Sequence, residues 1–176
     1  MRVIAGRLGG RTINSPRSRR THPMSDRMRG GLFNALGDIA GLSVLDAFAG
    51  SGALGIEAIS RGASHVTAID ADKTAHQQIT TTIRELGIDN LKATRAFVKS
   101  WSNNNPEKTF DLILADPPYN DLQIKDIIKL AGHLNKNGAM VLSWPGKETS
   151  PELAELKALQ TKSYGDSQLV FYRKIS

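Results

Sequence analysis

Short apolar segments alternate with segments of helical periodicity through most of the 176-residue chain, and this alternation constrains the fold most strongly. Strands that are joined by helical crossovers lie parallel in one sheet and carry helices on both faces. The predicted strands are residues 43–47, 65–69, 91–95, 110–115 and 139–143, and the predicted helices between them are 53–61, 73–86 and 122–134. The sequence therefore predicts an α/β fold, and this length favours a single core.

The N-terminal region departs from this alternation. Residues 3–5 and 11–13 flank a glycine-containing turn and predict a small β-hairpin, which continues into a polar arm. Ser25 can then cap a helix, because Met28 and Leu32 begin a run of apolar residues at helical spacing after it. A short helix is therefore expected between the arm and the first strand of the sheet.

The C-terminal region also departs from the pattern. Residues 152–159 are predicted to be helical, and residues 168–173 to form a last strand. We divide the chain into a basic N-terminal hairpin with its arm, residues 1–22, and a main domain, residues 23–176.

The positive charge of the chain is concentrated at its N-terminus. Eight of the 23 basic residues but only one of the 17 acidic residues fall within residues 1–29, so the formal net charge of +6 arises entirely there. All eight are arginines, whose planar guanidinium groups suit phosphate oxygens and base edges. They are predicted to bind RNA, and the alternative is a solvated basic terminus: Arg2, Arg7, Arg11, Arg17, Arg19, Arg20, Arg27 and Arg29.

Several classes of protein are excluded by what the sequence lacks. The chain has no cysteine, which removes disulfides, thiolate metal sites and a cysteine nucleophile. Its four histidines show no metal-ligand spacing, so no metal is expected. The sequence contains no apolar run of membrane-spanning length and no apolar stretch typical of a signal peptide at its start. We expect a cytoplasmic protein that does not bind membranes and is a monomer.

A glycine-rich segment follows the first predicted strand of the sheet. Gly50 and Gly52 allow a ligand to approach the backbone closely, and Gly55 permits close packing of the next helix. The lysine of a phosphate-binding P-loop is missing, which argues against nucleotide hydrolysis. Asp70 ends the next strand, where a carboxylate can accept hydrogen bonds from both ribose hydroxyls. The segment therefore predicts a nucleoside-containing cofactor.

NAD and S-adenosylmethionine both fit such a loop, and Asp46 helps to separate them. An acidic side chain just before the glycines would repel a pyrophosphate, whereas it could face the ammonium group of a methionine moiety. The alternative is that Asp46 only caps the loop.

A second motif, Asp116-Pro117-Pro118-Tyr119, ends an apolar strand at the edge where open α/β sheets bind ligands. The amino groups on nucleobases are poor nucleophiles, because their lone pair is delocalised into the ring. The Asp116 carboxylate and the Pro117 carbonyl can accept hydrogen bonds from such an amine, while the prolines restrict the backbone. Tyr119 offers a face on which an extruded base can stack. The alternative is a Pro-Pro turn that ends the strand.

Together these segments resemble a known family. DAFAGSGALGIEAISRG (46–62), AIDAD (68–72) and LADPPY (114–119) are similar to motifs of class I S-adenosylmethionine-dependent methyltransferases that act on amino groups. MRVIAGRLGGRTI (1–13) and PMSDRMRGGLFNAL (23–36) resemble the RsmD-type 16S ribosomal RNA guanine-N2 methyltransferases more specifically. The resemblance implies a Rossmann-like sheet of seven mostly parallel strands whose last strand is antiparallel.

The resemblance also assigns roles to matching positions. It implies that S-adenosylmethionine binds here and leaves as S-adenosylhomocysteine, and that Asp116, Pro117, Pro118 and Tyr119 surround the guanine. The segment from Ser25 to Arg29 would close over the cofactor or touch the RNA, which is 16S ribosomal RNA or an assembling small subunit. The implied cofactor-binding residues are Asp46, Phe48, Gly50, Ser51, Gly52, Asp70, Ala71 and Ala96.

The chain departs from the family pattern at three places. It has His22 before Pro23 where the family usually has arginine, and Gly30 where glutamate is usual. No acidic residue stands near Ala96 to accept the adenine amine, so a backbone contact there is expected. The alternatives to the guanine-N2 hypothesis are an adenine-N6 methyltransferase of DNA or RNA, an inactive RNA-binding protein of the same fold, and a nicotinamide dehydrogenase.

Overall fold

Seven strands form one sheet in the computed structural model, which describes residues 1–14 and 23–175. Five helices flank the sheet in these ranges. In chain order the elements are α1 (Asp26–Leu36), β1 (Ser43–Ala47), α2 (Ala53–Ser60), β2 (His65–Asp70), α3 (Lys73–Glu85), β3 (Leu91–Arg95), α4 (Val98–Asn104), β4 (Phe110–Ala115), α5 (Ile124–Ala131), β5 (Leu134–Pro145), β6 (Leu156–Tyr164) and β7 (Ser167–Lys174).

The strand order is β3-β2-β1-β4-β5-β7-β6, and the first five strands in this order are parallel. β7 runs antiparallel to both of its neighbours. The order reverses between β1 and β4, where Ala47 lies opposite Ala115. Open α/β sheets bind ligands at the carboxyl ends of the strands at such a reversal. The Rossmann-like topology and the antiparallel last strand are therefore confirmed.

Hydrophobic side chains are buried on both faces of the sheet, as a doubly covered parallel sheet requires. Val44 and Leu112 belong to one core cluster, together with buried side chains from α1, α2 and α3. Leu45 and Ile113, the next residues along the same strands, belong to a second cluster with α4 and α5. Successive side chains of β1 and β4 thus point into the two cores in turn. The carboxyl ends of both strands are therefore held between two packed layers.

The N-terminal hairpin packs against the first of these cores. Arg2 pairs with Thr12 in an antiparallel bridge, which confirms the predicted hairpin. The side chains of Val3, Leu8 and Ile13 are buried in the same cluster as α1 and α2. Residues 15–22 of the predicted arm lie outside the described residues. The described part of the N-terminal region is therefore continuous with the core of the sheet domain.

The cap predicted for α1 is present, since the Ser25 hydroxyl accepts a hydrogen bond from the backbone N–H of Met28 at 3.1 Å. One predicted helix is wrong, because residues 152–159 lead into strand β6, which pairs with β7 along its length. Glu155 has a φ of +66°, which interrupts a helix at that point. α4 is a short helix that the sequence analysis did not predict. Of the described helices, the longest has 13 residues, and none could cross a membrane.

Candidate active site

The glycine loop makes a sharp turn between β1 and α2. Its backbone is held by a hydrogen bond from the Ala49 N–H to the Ile69 carbonyl (2.9 Å) and by one from the Gly52 N–H to the Ala49 carbonyl (2.8 Å). Phe48, Gly50 and Gly52 all adopt positive φ, at +58°, +56° and +80°. A left-handed conformation at a phenylalanine is rare and is strained by about 1–3 kcal/mol, and such strain clusters at functional sites.

The two loop glycines meet different surroundings. A Cβ atom at Gly52 would lie 3.0 Å from the Ile79 side chain, so this glycine is required for packing. A Cβ atom at Gly50 would meet nothing within 4 Å, and Gly50 borders two cavities. Gly50 therefore leaves open space next to the loop that a side chain would fill.

Asp46 lies buried beneath this loop. Its Oδ2 atom accepts a hydrogen bond from the Gly55 N–H at 2.9 Å, and Oδ1 has no hydrogen-bond partner among the described residues. Burial raises the pKa of Asp46 well above its ordinary value, opposed by the Gly55 hydrogen bond and reinforced by the charges of Asp116 and Asp70. Asp46 borders neither of the two cavities at this edge. The structure thus shows a capping contact, and a contact with the cofactor ammonium group stays a prediction.

Asp70, at the end of β2, ties the glycine loop to the loop that follows it. Its Oδ2 accepts the Gly50 N–H at 2.7 Å and its Oδ1 accepts the Asp72 N–H at 2.8 Å. The Gly50 amide is therefore already engaged, so Gly50 offers a ligand space rather than its N–H. Each carboxylate oxygen of Asp70 can accept a further hydrogen bond, which suits a pair of ribose hydroxyls.

A cavity of about 220 Å³ opens beside Asp70 at the carboxyl ends of the strands. Five predicted cofactor residues line it, and they are Phe48, Gly50, Asp70, Ala71 and Ala96. Phe97 and Gln123 also line it, and the sequence analysis missed both. The Phe97 side chain is 67% exposed, which is high for an aromatic residue without a ligand. An apolar wall with two adjacent carboxylates, Asp70 and Asp72, fits an adenosyl group.

A smaller cavity of about 50 Å³ lies on the other side of the glycine loop. Ser51 lines this second cavity together with Met1, Pro23 and Met24, so the N-terminal segments border the site. Phe48, Gly50 and Asp116 line both cavities. Gly52 lines neither, so its role is to shape the loop.

Among the three residues that line both cavities, Asp116 is therefore the one with a polar side chain. It is half-buried directly after β4, and burial raises its pKa to about 6, opposed by a hydrogen bond from the Ser143 hydroxyl. At neutral pH the group is mostly ionised and accepts hydrogen bonds. Pro117 is buried and Pro118 half-buried, which holds this turn against the core.

Tyr119 completes the motif at the surface. Its side chain is 38% exposed, and its hydroxyl lies 2.6 Å from the Ser143 hydroxyl. Burial raises the pKa of the Tyr119 hydroxyl, and hydrogen bonds to Ser143 and Ser167 oppose this shift. One end of the ring is thus anchored inside the protein, while part of the ring remains open to a ligand.

Arg29 is wrongly predicted to contact RNA, because its side chain is wholly buried. Its Nη2 atom donates to the Asp26 carboxylate at 2.8 Å and to the Arg2 carbonyl at 2.6 Å. Its Nε atom lies 4.0 Å from the buried carboxylate of Glu57. A buried charge is retained only when it is paired, and these partners pair it. Arg29 therefore joins α1, α2 and the hairpin.

Glu57 is a second structural residue that the sequence analysis missed. Its carboxylate accepts hydrogen bonds from the N–H groups of Ile4 (2.8 Å) and Ala5 (3.1 Å) and from the Arg61 Nε (2.9 Å). The available signal was a single charged residue within the otherwise apolar helix Ala53–Ser60. Glu57 attaches the hairpin to α2.

The other arginines differ from Arg29 in their exposure. Arg27 is exposed and stacks over the Tyr164 ring at 5.9 Å, and Arg2, Arg7 and Arg11 are exposed on the hairpin. They remain candidates for RNA contact. The predictions for Arg17, Arg19 and Arg20 lie outside the described residues.

Comparison with known proteins identifies relatives that match nearly the whole chain. The family model described as Conserved hypothetical protein 95 matches residues 1–173. The chain is 36% identical over 129 residues to "Ribosomal RNA small subunit methyltransferase D" of Buchnera aphidicola, covering 73% of this chain and 68% of that protein. It is 31% identical over 188 residues to YlbH of Bacillus subtilis, which is named as a candidate rRNA methyltransferase, covering 99% of both.

A solved structure shares the fold over the whole chain. The Escherichia coli protein yhhF, named as a candidate methyltransferase, superposes with a TM-score of 0.88 at 27% identity and covers 100% of this chain and 98% of its own. The match spans both the sheet and the N-terminal segments. With its glycine loop, its Asp-Pro-Pro-Tyr turn and a family model that covers nearly its whole length, the chain belongs to the Conserved hypothetical protein 95 family, the family of RsmD-type methyltransferases.

Proposed function

We propose that this protein transfers a methyl group from S-adenosylmethionine to the exocyclic N2 amine of a guanine in small-subunit ribosomal RNA. The observation that carries the proposal is the position of Asp116, whose carboxyl borders both cavities at the reversal of the sheet. A donor held in the larger cavity and an amine brought to Asp116 would meet at this point. The related protein of Buchnera aphidicola is named as a ribosomal RNA methyltransferase, which supports an RNA substrate.

The larger cavity has the features that an adenosyl cofactor needs. Asp70 would accept hydrogen bonds from the ribose hydroxyls, and Phe97 would cover the adenine. The open space at Gly50 would admit the methionine portion alongside the loop. S-adenosylmethionine, when bound, supplies an electrophilic methyl carbon attached to a sulfonium.

The protein side of the reaction consists of hydrogen-bond acceptors at fixed positions. The ionised Asp116 carboxylate and the Pro117 carbonyl would accept hydrogen bonds from the two N–H groups of the guanine amine. These acceptors would draw electron density toward the nitrogen and orient its lone pair toward the methyl group that S-adenosylmethionine would supply, with S-adenosylhomocysteine as the leaving group. The nitrogen loses a proton afterwards, and Asp116 lies in position to accept it. Preorganised acceptors of this kind contribute about 10²- to 10³-fold to the rate.

RNA binding would involve the exposed arginines next to the site. Met1 and Pro23 border the smaller cavity, so both chain segments that flank residues 2–22 reach the site. Arg2, Arg7 and Arg11 are exposed on the hairpin, whose first residue, Met1, borders this cavity. The phosphate backbone near the target base would therefore meet these arginines.

Nucleoside analysis tests this proposal. The protein is incubated with methyl-labelled S-adenosylmethionine and either naked 16S RNA or small subunits, and the RNA is digested and analysed by mass spectrometry. The expected product is labelled N2-methylguanosine. Labelled N6-methyladenosine would instead establish the adenine alternative, and cofactor binding without any product would indicate an inactive RNA-binding protein. Asp116→Asn should reduce the rate of labelling by about 10²-fold or more, whereas Asp121→Asn, an exposed change in the same loop, should retain it.

A further inference from the structure

Ser143 occupies an unusual position at the reactive edge of the sheet. β5 runs parallel to β4 with Leu142 opposite Ala115, so Ser143, within β5, lies at the level where Asp116 follows the end of β4. Its side chain is buried, its hydroxyl lies 2.6 Å from the Tyr119 hydroxyl, and it is close enough to the Asp116 carboxyl to lower the pKa of that group. A single buried hydroxyl thus links the first and last residues of the Asp-Pro-Pro-Tyr motif.

The chemistry of these groups fixes the direction of the hydrogen bonds. An ionised carboxylate only accepts, so the single proton of the Ser143 hydroxyl must be donated to Asp116. The Ser143 oxygen is then left to accept, so the Tyr119 hydroxyl must donate to it. Ser167, at the start of β7, is close enough to Tyr119 to lower the pKa of its hydroxyl, and a serine hydroxyl there can donate to the Tyr119 oxygen. Such chains polarise one another, so each bond strengthens the next.

We propose that Ser143 is a positioning residue for methyl transfer, whose hydroxyl holds the Asp116 carboxylate and the Tyr119 ring in one arrangement around the target base. This inference deepens the proposed function and rests on it. The amine acceptor and the stacking surface lie on a loop after β4, whereas Ser143 lies on a paired strand in the centre of the sheet. The rigid strand therefore fixes the geometry of the loop.

Ser143→Ala removes one hydroxyl and keeps every other side chain around Asp116. A comparison of this variant with the parent protein therefore isolates the effect of that hydroxyl on Asp116. The charged and titratable groups that face Asp116 are Asp46 from β1, Asp70 and Asp72 across the larger cavity, Arg29 from α1 across the smaller cavity, and Tyr119 from the following loop. Ser43 provides a matched control, because its hydroxyl donates to the Asp111 carboxylate at 3.1 Å at the opposite edge of the same sheet.

The first test is a carbon-13 NMR titration of the Asp116 carboxyl in the full-length protein, without RNA or cofactor. Ser143→Ala should raise the pKa of Asp116 by about 0.5 to 1 pH unit, the size expected from one lost hydrogen bond. Tyr119→Phe should raise it by less, because Ser143 remains but loses its polarising donor. Ser43→Ala should leave it unchanged. An unaltered Asp116 pKa in both Ser143→Ala and Tyr119→Phe would overturn the proposed network.

The second test is the pH dependence of kcat/KM for methylation of 16S RNA. The acid limb of the profile should move upward in Ser143→Ala by the same amount as the pKa of Asp116, and Ser143→Thr, which keeps a hydroxyl, should restore it. A profile that does not move although the carboxyl pKa has moved would refute the positioning role. If the protein does not methylate ribosomal RNA at all, the proposed function fails, while the titration still decides whether the network exists. If Ser143→Ala does not fold, Tyr119→Phe carries both measurements.

Discussion

Replacing Asp116 with asparagine should make the fold more stable while it slows methyl transfer by about 10²-fold or more. Asp116 is half-buried after β4, and burial raises the pKa of its carboxyl from 3.8 to about 6. The fold therefore disfavours the ionised form that the proposed reaction requires. Asparagine has nearly the same shape and carries no charge, so it removes this unfavourable term together with the acceptor.

The magnitude follows from the two pKa values. A rise from 3.8 to about 6 corresponds to about 3 kcal/mol of unfavourable free energy for the ionised group in the folded state. Because Asp116 lines two cavities, water in them weakens this destabilisation of the folded state to about 1–3 kcal/mol. In a chain of this size, each kcal/mol changes Tm by about 2–4 °C. The charge of Asp116 also raises the pKa of buried Asp46, so its removal acts in the same direction.

The effect should depend on pH in a defined sense. Below about pH 4, Asp116 is protonated in both the folded and the unfolded chain, so the two proteins should be equally stable. Between about pH 4 and 6 the unfolded chain releases the proton while the folded chain retains it, so the parent protein loses stability as the pH rises. Above about pH 6 the advantage of the variant should reach its maximum and stay constant.

Thermal unfolding from pH 4 to 8 measures this difference directly. Asp121→Asn, at an exposed position in the same loop, serves as the control and should track the parent protein at every pH. A Tm difference that does not change with pH, or a variant that is less stable at pH 7, would refute the account of Asp116. The same preparation should show a loss of methyl transfer of about 10²-fold or more.

Three further predictions concern the cofactor, the hairpin and the RNA. Phe97→Ala should weaken S-adenosylmethionine binding about 10-fold or more in calorimetry, because an exposed stacking surface is lost, whereas Leu159→Ala, exposed on β6, should not. Glu57→Gln should lower the free energy of unfolding in urea by about 3–5 kcal/mol, because it removes the buried carboxylate beside Arg29 and leaves Asp26 as the carboxylate that pairs with this buried charge. A similar value for exposed Glu85→Gln would contradict this. A triple substitution by serine in the N-terminal arm should flatten the slope of log RNA affinity against log salt by about 2–3, whereas the same change at three exposed lysines elsewhere should not. The arm residues are Arg17, Arg19 and Arg20, and the control residues are Lys92, Lys99 and Lys108.

Local sequence patterns determined most of the sheet and the positions of the two functional motifs. β1 and β4 are short apolar runs. The glycine-rich loop follows β1, and Asp116 with two prolines follows β4, so glycine and proline determine the backbone conformation directly after each strand. The Asp-Pro-Pro-Tyr motif and Asp70 are also local, because a residue that follows a parallel strand must lie at the carboxyl edge of the sheet. These positions could be predicted without knowledge of any long-range contact.

The misassigned segment shows where local patterns fail. Residues 152–159 have helical composition, yet the chain forms β6 from Leu156 because β7 offers an unpaired edge. β7 is the next strand along the chain, joined to β6 by Gly165 and Asp166, and its other edge pairs with β5 from Ala139 to Pro145. Pairing with a strand that is itself held in the sheet by β5 outweighs a helical preference of a few tenths of a kcal/mol per residue.

The sequence by itself determined which residues are candidates for the chemistry, and the tertiary structure decided which of them are accessible and what holds them. Arg29 reads as one more exposed arginine, but Asp26, Glu57 and the Arg2 carbonyl converge on it from three segments and bury it. Ser143 has no distinctive sequence signal, because its partners Asp116 and Tyr119 are more than 20 residues away. A hydrogen bond or an ion pair depends on distance and burial, and both are set only when separate segments pack together.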